Sequence, residues 1–338
     1  MSYRSTWPCP PPASKRMLQI ALGTWVVAWA GHALAAHAAD RATATASAIE
    51  RLGHKDAWVR WEAAYVLGQQ GPQAADALPD LEKILANPAE EEYVRGQAAW
   101  AIGRMGPMAA RSLPLLVRVL TSKQVSVRRN AAHALAELGP AARTAIADLE
   151  TLLADEDPSV QASAAKALGK LGQEARARAT LEAMLRGAEG RGAYWAARAL
   201  GEFGPEAAPP LAHALAHPDP DVRRAAAFAL GRIGAPALSA LRHALNHSDP
   251  TVRRQAVEAL GWIGPDAISS LCAALSDPEP GVRRAAVRAI GRLGPAAQQA
   301  VPALLEALRD RDAEVRSTAA ESLKQINACD PGRTPQAE

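Results

Sequence analysis

The phrase that indicates the fold is Asp219-Pro-Asp-Val-Arg-Arg-Ala-Ala-Ala-Phe-Ala-Leu-Gly-Arg-Ile-Gly234. A closely similar phrase follows 30 residues later: Asp249-Pro-Thr-Val-Arg-Arg-Gln-Ala-Val-Glu-Ala-Leu-Gly-Trp-Ile-Gly264. The Val at the fourth place of this phrase marks a register position, whose copies follow one another at steps of 30 to 35 residues. The register position is occupied by Val59, Val94, Val127, Val160, Gly192, Val222, Val252, Val282 and Val315. Tandem units of this length that are rich in Ala and Leu indicate a helical solenoid.

Each phrase carries the signals of one helix with defined ends. Asp219 stands three residues before the register position, where its carboxylate can accept hydrogen bonds from the first free backbone N–H groups. Pro220 suits the first helical position, which needs no N–H donor. The apolar residues that follow are spaced by three and four, so they form one stripe along a helix. Gly234 is a candidate for the left-handed residue that ends the helix.

A second helix is predicted after each phrase, with Leu at spacing i, i+4, as at Leu211 and Leu215. One unit is therefore an A helix, a turn and a B helix, and we expect an all-α fold. The segment 47–52 before the first unit and the segment 312–326 after the last are predicted half-repeat caps. Such caps cover apolar faces that would otherwise be exposed at the ends of the stack.

The phrase Asp-Pro-x-Val-Arg-x-x-Ala-x-x-Ala-Leu-Gly-x-Ile-Gly resembles the HEAT-like repeat of phycobilin lyase subunits, and the resemblance covers residues 46–327. It implies a right-handed α-solenoid of about eight HEAT-like helical hairpins plus the half-repeat caps. We therefore expect one solenoid domain over residues 39–327. The final residues, 328–338, lack periodicity and are predicted to be a disordered C-terminal tail.

An Arg directly follows the register position in most repeats. The resemblance implies that this Arg meets the capping acid of an adjacent repeat in a structural ladder. The residues of the expected ladder are Arg60, Arg95, Arg128, Asp157, Asp219, Arg223, Asp249, Arg253, Arg283, Asp312 and Arg316. The alternative is a basic ridge that faces an anionic partner.

The segment 1–38 has the pattern of a signal peptide or N-terminal anchor. Lys15 and Arg16 precede an apolar run over 17–30, and small residues at Ala35 and Ala38 fit a peptidase site. We expect export, with the repeats in the periplasm or outside the cell. The alternative is an uncleaved membrane anchor over residues 17–36, which is just long enough to span a bilayer.

Charge separates this leader from the repeats. The chain has 38 Lys and Arg and 35 Asp and Glu, and Arg4, Lys15 and Arg16 are the only charged residues before Asp40. Without these three residues, 35 basic side chains stand against 35 acidic ones, and the formal net charge is zero. A nucleic-acid binder needs a surplus of Lys and Arg to release counterions from phosphates, so no nucleic-acid partner is expected.

Four histidines form the candidate metal site. His213 and His217 stand four residues apart on one predicted B helix, and His243 and His247 occupy the same places on the next. Imidazoles at this spacing share a helix face and can hold Zn, Ni or Cu. The alternative is that His217 and His247 merely favour a helix C-terminus and that His213 and His243 are solvated copies produced by repeat duplication. His213 and His243 are also candidates for contact with a protein partner, since we expect the B-helix side to line a concave groove.

An aromatic row is the other candidate for partner binding. Tyr65 and Trp100 stand six residues after the register position, where most other repeats have charged side chains, and Trp58 and Trp61 lie close to Tyr65 in sequence. Stacked repeats would join these rings into an exposed apolar patch, and Trp and Tyr dominate the energetics of interfaces. The alternative is that the rings cover the N-terminal cap or pack on a long loop.

The sequence contains no constellation typical of an enzyme. It has no His-Glu pair of the kind that binds iron in HEAT-repeat deoxyhypusine hydroxylases and no Gly-rich phosphate loop. We expect an exported, non-enzymatic scaffold for protein–protein interaction, with no cofactor and with a membrane contact only through an uncleaved N-terminal segment. The alternative is a metal-binding or lyase-like accessory protein that uses the histidine face. Phycobilin lyase resemblance would permit chromophore handling, but export argues against it.

Overall fold

The computed structural model describes residues 43–187 and 190–327, and within them the chain forms helices, turns and no strand. The predicted leader over 1–38 and the predicted tail over 328–338 lie outside the described residues. The α-helices are α1 (43–51), α2 (Ala57–Gln70), α3 (Leu78–Ala86), α4 (Glu92–Arg104), α5 (Leu113–Val119), α6 (Val125–Glu137), α7 (Ile146–Thr151), α8 (Pro158–Lys170), α9 (Glu174–Arg186), α10 (Gly190–Leu200), α11 (Ala208–His213), α12 (Pro220–Ile233), α13 (Leu238–Ala244), α14 (Pro250–Ile263), α15 (Ile268–Ala274), α16 (Pro280–Arg292), α17 (Val301–Ala307) and α18 (Ala313–Asn327). No helix in this part of the chain is both long enough and apolar enough to cross a bilayer.

The helices alternate between two layers. Even-numbered helices are A helices, and odd-numbered helices from α3 to α17 are B helices. The A helices pack on one another in chain order from α2 to α18, and each B helix packs against the A helix that follows it. Each layer is therefore held by its neighbours in sequence, and the prediction of an all-α solenoid is confirmed.

The A helices begin as their sequence predicts. Asp56, Asp157, Asp219 and Asp249 each accept a hydrogen bond of 2.7–2.9 Å from the backbone N–H two residues later. Glu91, at the same place before α4, makes no such bond, in line with the preference for shorter side chains at this position. Pro is the first residue of α8, α12, α14 and α16, where a missing N–H costs nothing.

The two glycines of each phrase have different roles. Gly264 follows α14 with φ +96°, and eight glycines at the ends of A helices share a positive φ. Gly103 lies inside α4, where a Cβ would stand 2.6 Å from the Cα of Ala134 in α6. The glycine inside the A helix therefore lets consecutive A helices approach closely, and the glycine after the helix turns the chain toward the B helix.

The core is a continuous apolar strip between the two layers. The register valines from Val94 to Val315 are at most 2% exposed. Leu67, Leu135, Leu168 and Leu200, eight residues after the register position, have no exposed surface. Alanines fill most of the remaining interior, so the outward side chains of the A helices are supported by a close-packed base.

Candidate functional site

Trp58, Trp61, Tyr65 and Trp100 form one continuous stack of rings, which we call the aromatic row. The centroids of successive rings lie 4.8, 5.6 and 5.8 Å apart, and their planes are within 19° of parallel. Trp58 is 61% exposed and Tyr65 41% exposed. Trp61 and Tyr65 each stack with two neighbouring rings, whereas Trp58 and Trp100, at the ends of the row, each stack with one.

Helix geometry and one glycine position the aromatic row. Residues 58, 61 and 65 share a face of α2 because they are spaced by three and four. Trp100 joins them from α4 by lying over Gly68, where a Cβ would stand 2.3 Å from the Cζ3 atom of the indole. Each stacked pair contributes about 0.5–1.5 kcal/mol beyond the area that it buries. The exposure of Trp58 shows that α1 does not cover this end of the row.

A polar groove of about 610 Å³ continues the aromatic row along the A helices. It begins at Trp100 and Arg104 and ends at Arg232. The Arg104 guanidinium lies 5.9 Å from the centroid of Trp100 and has no carboxylate partner among the described residues. Farther along, Glu202 accepts from Lys166 at 2.7 Å and from Arg232 at 3.4 Å. Four of the nine residues that line the groove are thus cations, and three of them, Lys166, Lys170 and Arg232, are ion-paired.

Two titratable groups at the centre of this groove have shifted pKa values. Burial lowers the pKa of His133, and the charges of Lys166 and Lys170 lower it further, against the opposing effect of Glu137. Burial alone would raise the pKa of Glu137, but a 2.7 Å hydrogen bond and the charge of Lys170 hold it below its ordinary value. His133 is therefore neutral and Glu137 charged at neutral pH.

The arginine ladder differs from the expected one. In three repeats, the Arg that directly follows the register position donates two hydrogen bonds of 2.7–2.8 Å to an Asp. This Asp stands two residues before the capping position of the next repeat. The pairs are Arg128 with Asp155, Arg253 with Asp277 and Arg283 with Asp310. The expected partner, the capping acid, instead accepts backbone N–H groups of its own helix, as Asp219, Asp249 and Asp312 do. Asp157 also pairs with Arg191, at 3.0 Å.

The other predicted members of the ladder have different partners. Arg60 pairs with Glu90. Arg95 is buried and donates to the carbonyl of Leu85, and burial lowers its pKa. Arg223 and Arg316 donate to carbonyls of their own turn, and neither has a carboxylate partner among the described residues. The ladder of Arg–Asp pairs is therefore discontinuous. The arginines also do not form a basic ridge that faces a partner, because their guanidinium groups donate hydrogen bonds to carbonyls of the turns.

The four histidines are not assembled as a metal site. His217 and His247 stand where other repeats have the ladder Asp, and the Nδ1 atom of each accepts the backbone N–H of the capping Asp at 3.0 Å. No group of three or more His, Cys, Asp or Glu side chains converges within 43–187 and 190–327 in a way that could hold a metal. His213 and His243 line, with His247, a groove of about 810 Å³ whose walls include Ala and Pro residues.

Two aromatic clusters farther along the A helices were missed by the sequence reasoning. The centroid of the Trp195 ring lies 5.9 Å from the guanidinium carbon of Arg129 and 5.4 Å from that of Arg198. Phe228 and Trp262 pack edge to face at 5.6 Å and are 50% and 43% exposed. The available signal was their register, since Phe228 occupies the same repeat position as Tyr65 and Trp100.

Comparison with known proteins addresses the fold. The family model for HEAT repeats matches residues 83–149, 127–201, 179–261, 208–277 and 268–337. The model for the PBS lyase HEAT-like repeat matches residues 59–87. A search of curated proteins gives no match.

A search of solved structures gives three proteins among its matches. A crystal structure of an engineered protein is 24% identical, with 83% of this chain and 88% of that chain covered and a TM-score of 0.36. Human deoxyhypusine hydroxylase in complex with glycerol is 21% identical, with 78% and 98% covered and a TM-score of 0.31. The YibA protein of Escherichia coli is 21% identical, with 77% and 96% covered and a TM-score of 0.45. Because the HEAT-repeat matches run from residue 83 to residue 337, well over half of the sequence, this chain belongs to the HEAT-repeat family.

Proposed function

We propose that this chain is a non-enzymatic scaffold for protein–protein interaction and that the aromatic row belongs to its binding surface. The observation that carries the proposal is the stack of Trp58, Trp61, Tyr65 and Trp100, which is exposed at Trp58 and Tyr65. Trp and Tyr side chains contribute most of the binding energy at many interfaces. Rings already held by their neighbours lose little conformational freedom when a partner binds.

The charged groups beside the row support binding over catalysis. Glu137 and Glu202 of the polar groove are held by Lys and Arg side chains, and His133 is kept neutral between them. Ion-paired carboxylates with lowered pKa values are poor proton acceptors. This arrangement suits a rigid polar surface next to an apolar contact.

Export is the second part of the proposal, and it is supported by the leader over residues 1–38. The basic residues, the apolar run and the small residues near Ala35 and Ala38 have the order of a signal peptide. Mass spectrometry of the chain from cells tests this part. We expect a mature N-terminus directly after Ala35 or Ala38, and an intact Met1 on cytoplasmic protein would contradict it.

Site-specific photocrosslinking in intact cells tests the binding surface. The full chain carries p-benzoylphenylalanine at Tyr65, and matched variants carry it at His213 or at exposed Arg143. We expect a discrete protein adduct from Tyr65 and none from Arg143. An adduct that forms only at His213 would move the contact to the B-helix side. Equal, diffuse adducts at all three sites, or none, would refute the proposal.

A further inference from the structure

The outward positions of the A helices differ in composition from the rest of the chain. These positions lie two, six and ten residues after the register position in the eight A helices from α2 to α16, and we call them the A face. Of the 24 positions, eleven hold Lys or Arg, three hold Glu and six hold an aromatic residue. Basic and aromatic residues therefore fill most of one side of the solenoid.

Contacts between repeats join these positions into one surface. The aromatic row links α2 to α4, and the polar groove extends from Trp100 to Arg232. Phe228 contacts Trp262 across α12 and α14. Eight of the ten aromatic residues within the described part of the chain lie on the A face or, for Trp58 and Trp195, directly against its side chains.

The overall charge of the repeats conceals this distribution. Residues 39–338 have equal numbers of basic and acidic side chains, so the surplus of eight cations on the A face is matched by a surplus of eight acidic residues elsewhere in that segment. Several A-face cations are available for a ligand. Arg104, Arg198, Arg254 and Arg288 are exposed and have no carboxylate partner among the described residues; Arg198 donates one hydrogen bond to the Tyr194 hydroxyl, at 3.2 Å.

We infer that the A face binds an acidic polypeptide segment of a partner protein, an inference that rests on the proposed scaffold function. The carboxylates of such a segment meet the free guanidinium groups, which match carboxylate geometry with paired N–H donors. Its apolar side chains pack against the ring edges of the aromatic row and of the Phe228–Trp262 pair. Complementary charge over several repeats fixes the register of the segment and speeds its encounter.

The arrangement of the rings favours polypeptide over single-stranded nucleic acid. Nucleobases bind by stacking on open aromatic faces. On the A face, Trp61 and Tyr65 each already stack with two neighbouring rings, and Arg129 and Arg198 lie near the ring of Trp195. The glutamates at positions 137, 202 and 258 also stand among the cations, where they would repel a phosphate backbone.

Fluorescence anisotropy with defined polymers tests the inference. The probe is labelled poly(Glu,Tyr), and labelled poly-Lys and a 20-nucleotide oligo(dT) are comparison ligands for the full-length purified chain. The test variant replaces Arg104, Arg198 and Arg254 with Gln. The matched control replaces Arg118, Arg143 and Arg242 with Gln; these are exposed arginines off the A face that also lack a carboxylate partner among the described residues.

Both variants lose three positive charges, so a bulk charge effect weakens binding equally. We expect poly(Glu,Tyr) to bind with an affinity that falls as salt rises, to weaken at least tenfold in the test variant and to change less than threefold in the control. Equal weakening in both variants, tighter binding of oligo(dT), or no binding of poly(Glu,Tyr) would each overturn the inference. Self-association lost in the test variant would instead assign the A face to a second copy. A persistent crosslink from Tyr65 in any of these cases would leave the scaffold function intact.

Discussion

Replacement of Arg283 by Met measures what one bidentate rung contributes to the stack. Arg283 is 5% exposed and donates two hydrogen bonds of 2.7 Å to Asp310 in the next repeat. Met keeps much of the side-chain volume but leaves the Asp310 carboxylate without its cation. Loss of one member of a buried pair costs about 3–5 kcal/mol. We expect the free energy of unfolding to fall by that order, with the loss concentrated in the last repeats.

Arg223→Met is the matched control for this substitution. Arg223 occupies the same repeat position and also donates to two turn carbonyls, but it has no carboxylate partner among the described residues. Its replacement should cost about 1–2 kcal/mol, the value of the lost carbonyl hydrogen bonds. Urea denaturation followed by circular dichroism and by hydrogen exchange of α18 compares the two. An equal loss in both variants would refute the idea that the carboxylate pair holds adjacent layers together.

Three further results are expected. Gly68→Ala should cost about 1–3 kcal/mol through overpacking against Trp100 and should alter tryptophan fluorescence, whereas an unchanged Tm and spectrum would show that the close approach is unimportant. The pKa of His133 is lowered in the folded state, so the unfolded state binds more protons below about pH 6.5 and wild-type stability should fall there. His133→Gln should flatten this part of the curve of Tm against pH. An unchanged slope in the variant would contradict a role of His133 in this pH dependence. Gly264→Ala should cost about 1–2 kcal/mol because φ is +96°, and a neutral result in thermal denaturation would exclude strain at this turn.

Acid titration gives a second view of the Arg283–Asp310 pair. The hydrogen bond from Arg283 holds the pKa of Asp310 below its ordinary value of 3.8. Its contribution is thus present above the unfolded pKa and is lost as pH falls through the folded one. Wild type should lose this part of its stability below about pH 4, and Arg283→Met should show a smaller loss over the same range.

The sequence predicted the fold well because the signals are local and repeated. A capping Asp, a following Pro and a Gly with positive φ define α8, α12 and α14 without reference to distant residues, and the other A helices have some of these signals. The aromatic row could also be predicted, because a fixed register places Tyr65 and Trp100 at equivalent outward positions of adjacent repeats.

Contacts that depend on the turn between helices could not be predicted in the same way. His217 resembled a metal ligand by its spacing from His213, but the turn directs its Nδ1 atom to the backbone N–H of Asp219. The ladder partner was placed two residues too late, because Asp310 reaches Arg283 while Asp312 caps its own helix. In both cases the deciding contact is made by a residue of the turn before an A helix, where helical spacing does not apply.

Hydroxyl-radical footprinting tests most directly whether the A face binds the partner. The chain is footprinted alone and in complex with the partner recovered by crosslinking. Trp58 packs against the A-face rings of α2, Trp262 lies on the A face in α14, and the two are 61% and 43% exposed, whereas Met108, also 61% exposed, lies in a turn off the A face. If the A face is the binding surface, the partner will protect both tryptophans from oxidation and leave Met108 unchanged. Binding at the A face would be contradicted if the partner protected Met108 while both tryptophans were oxidised as fast as in the chain alone.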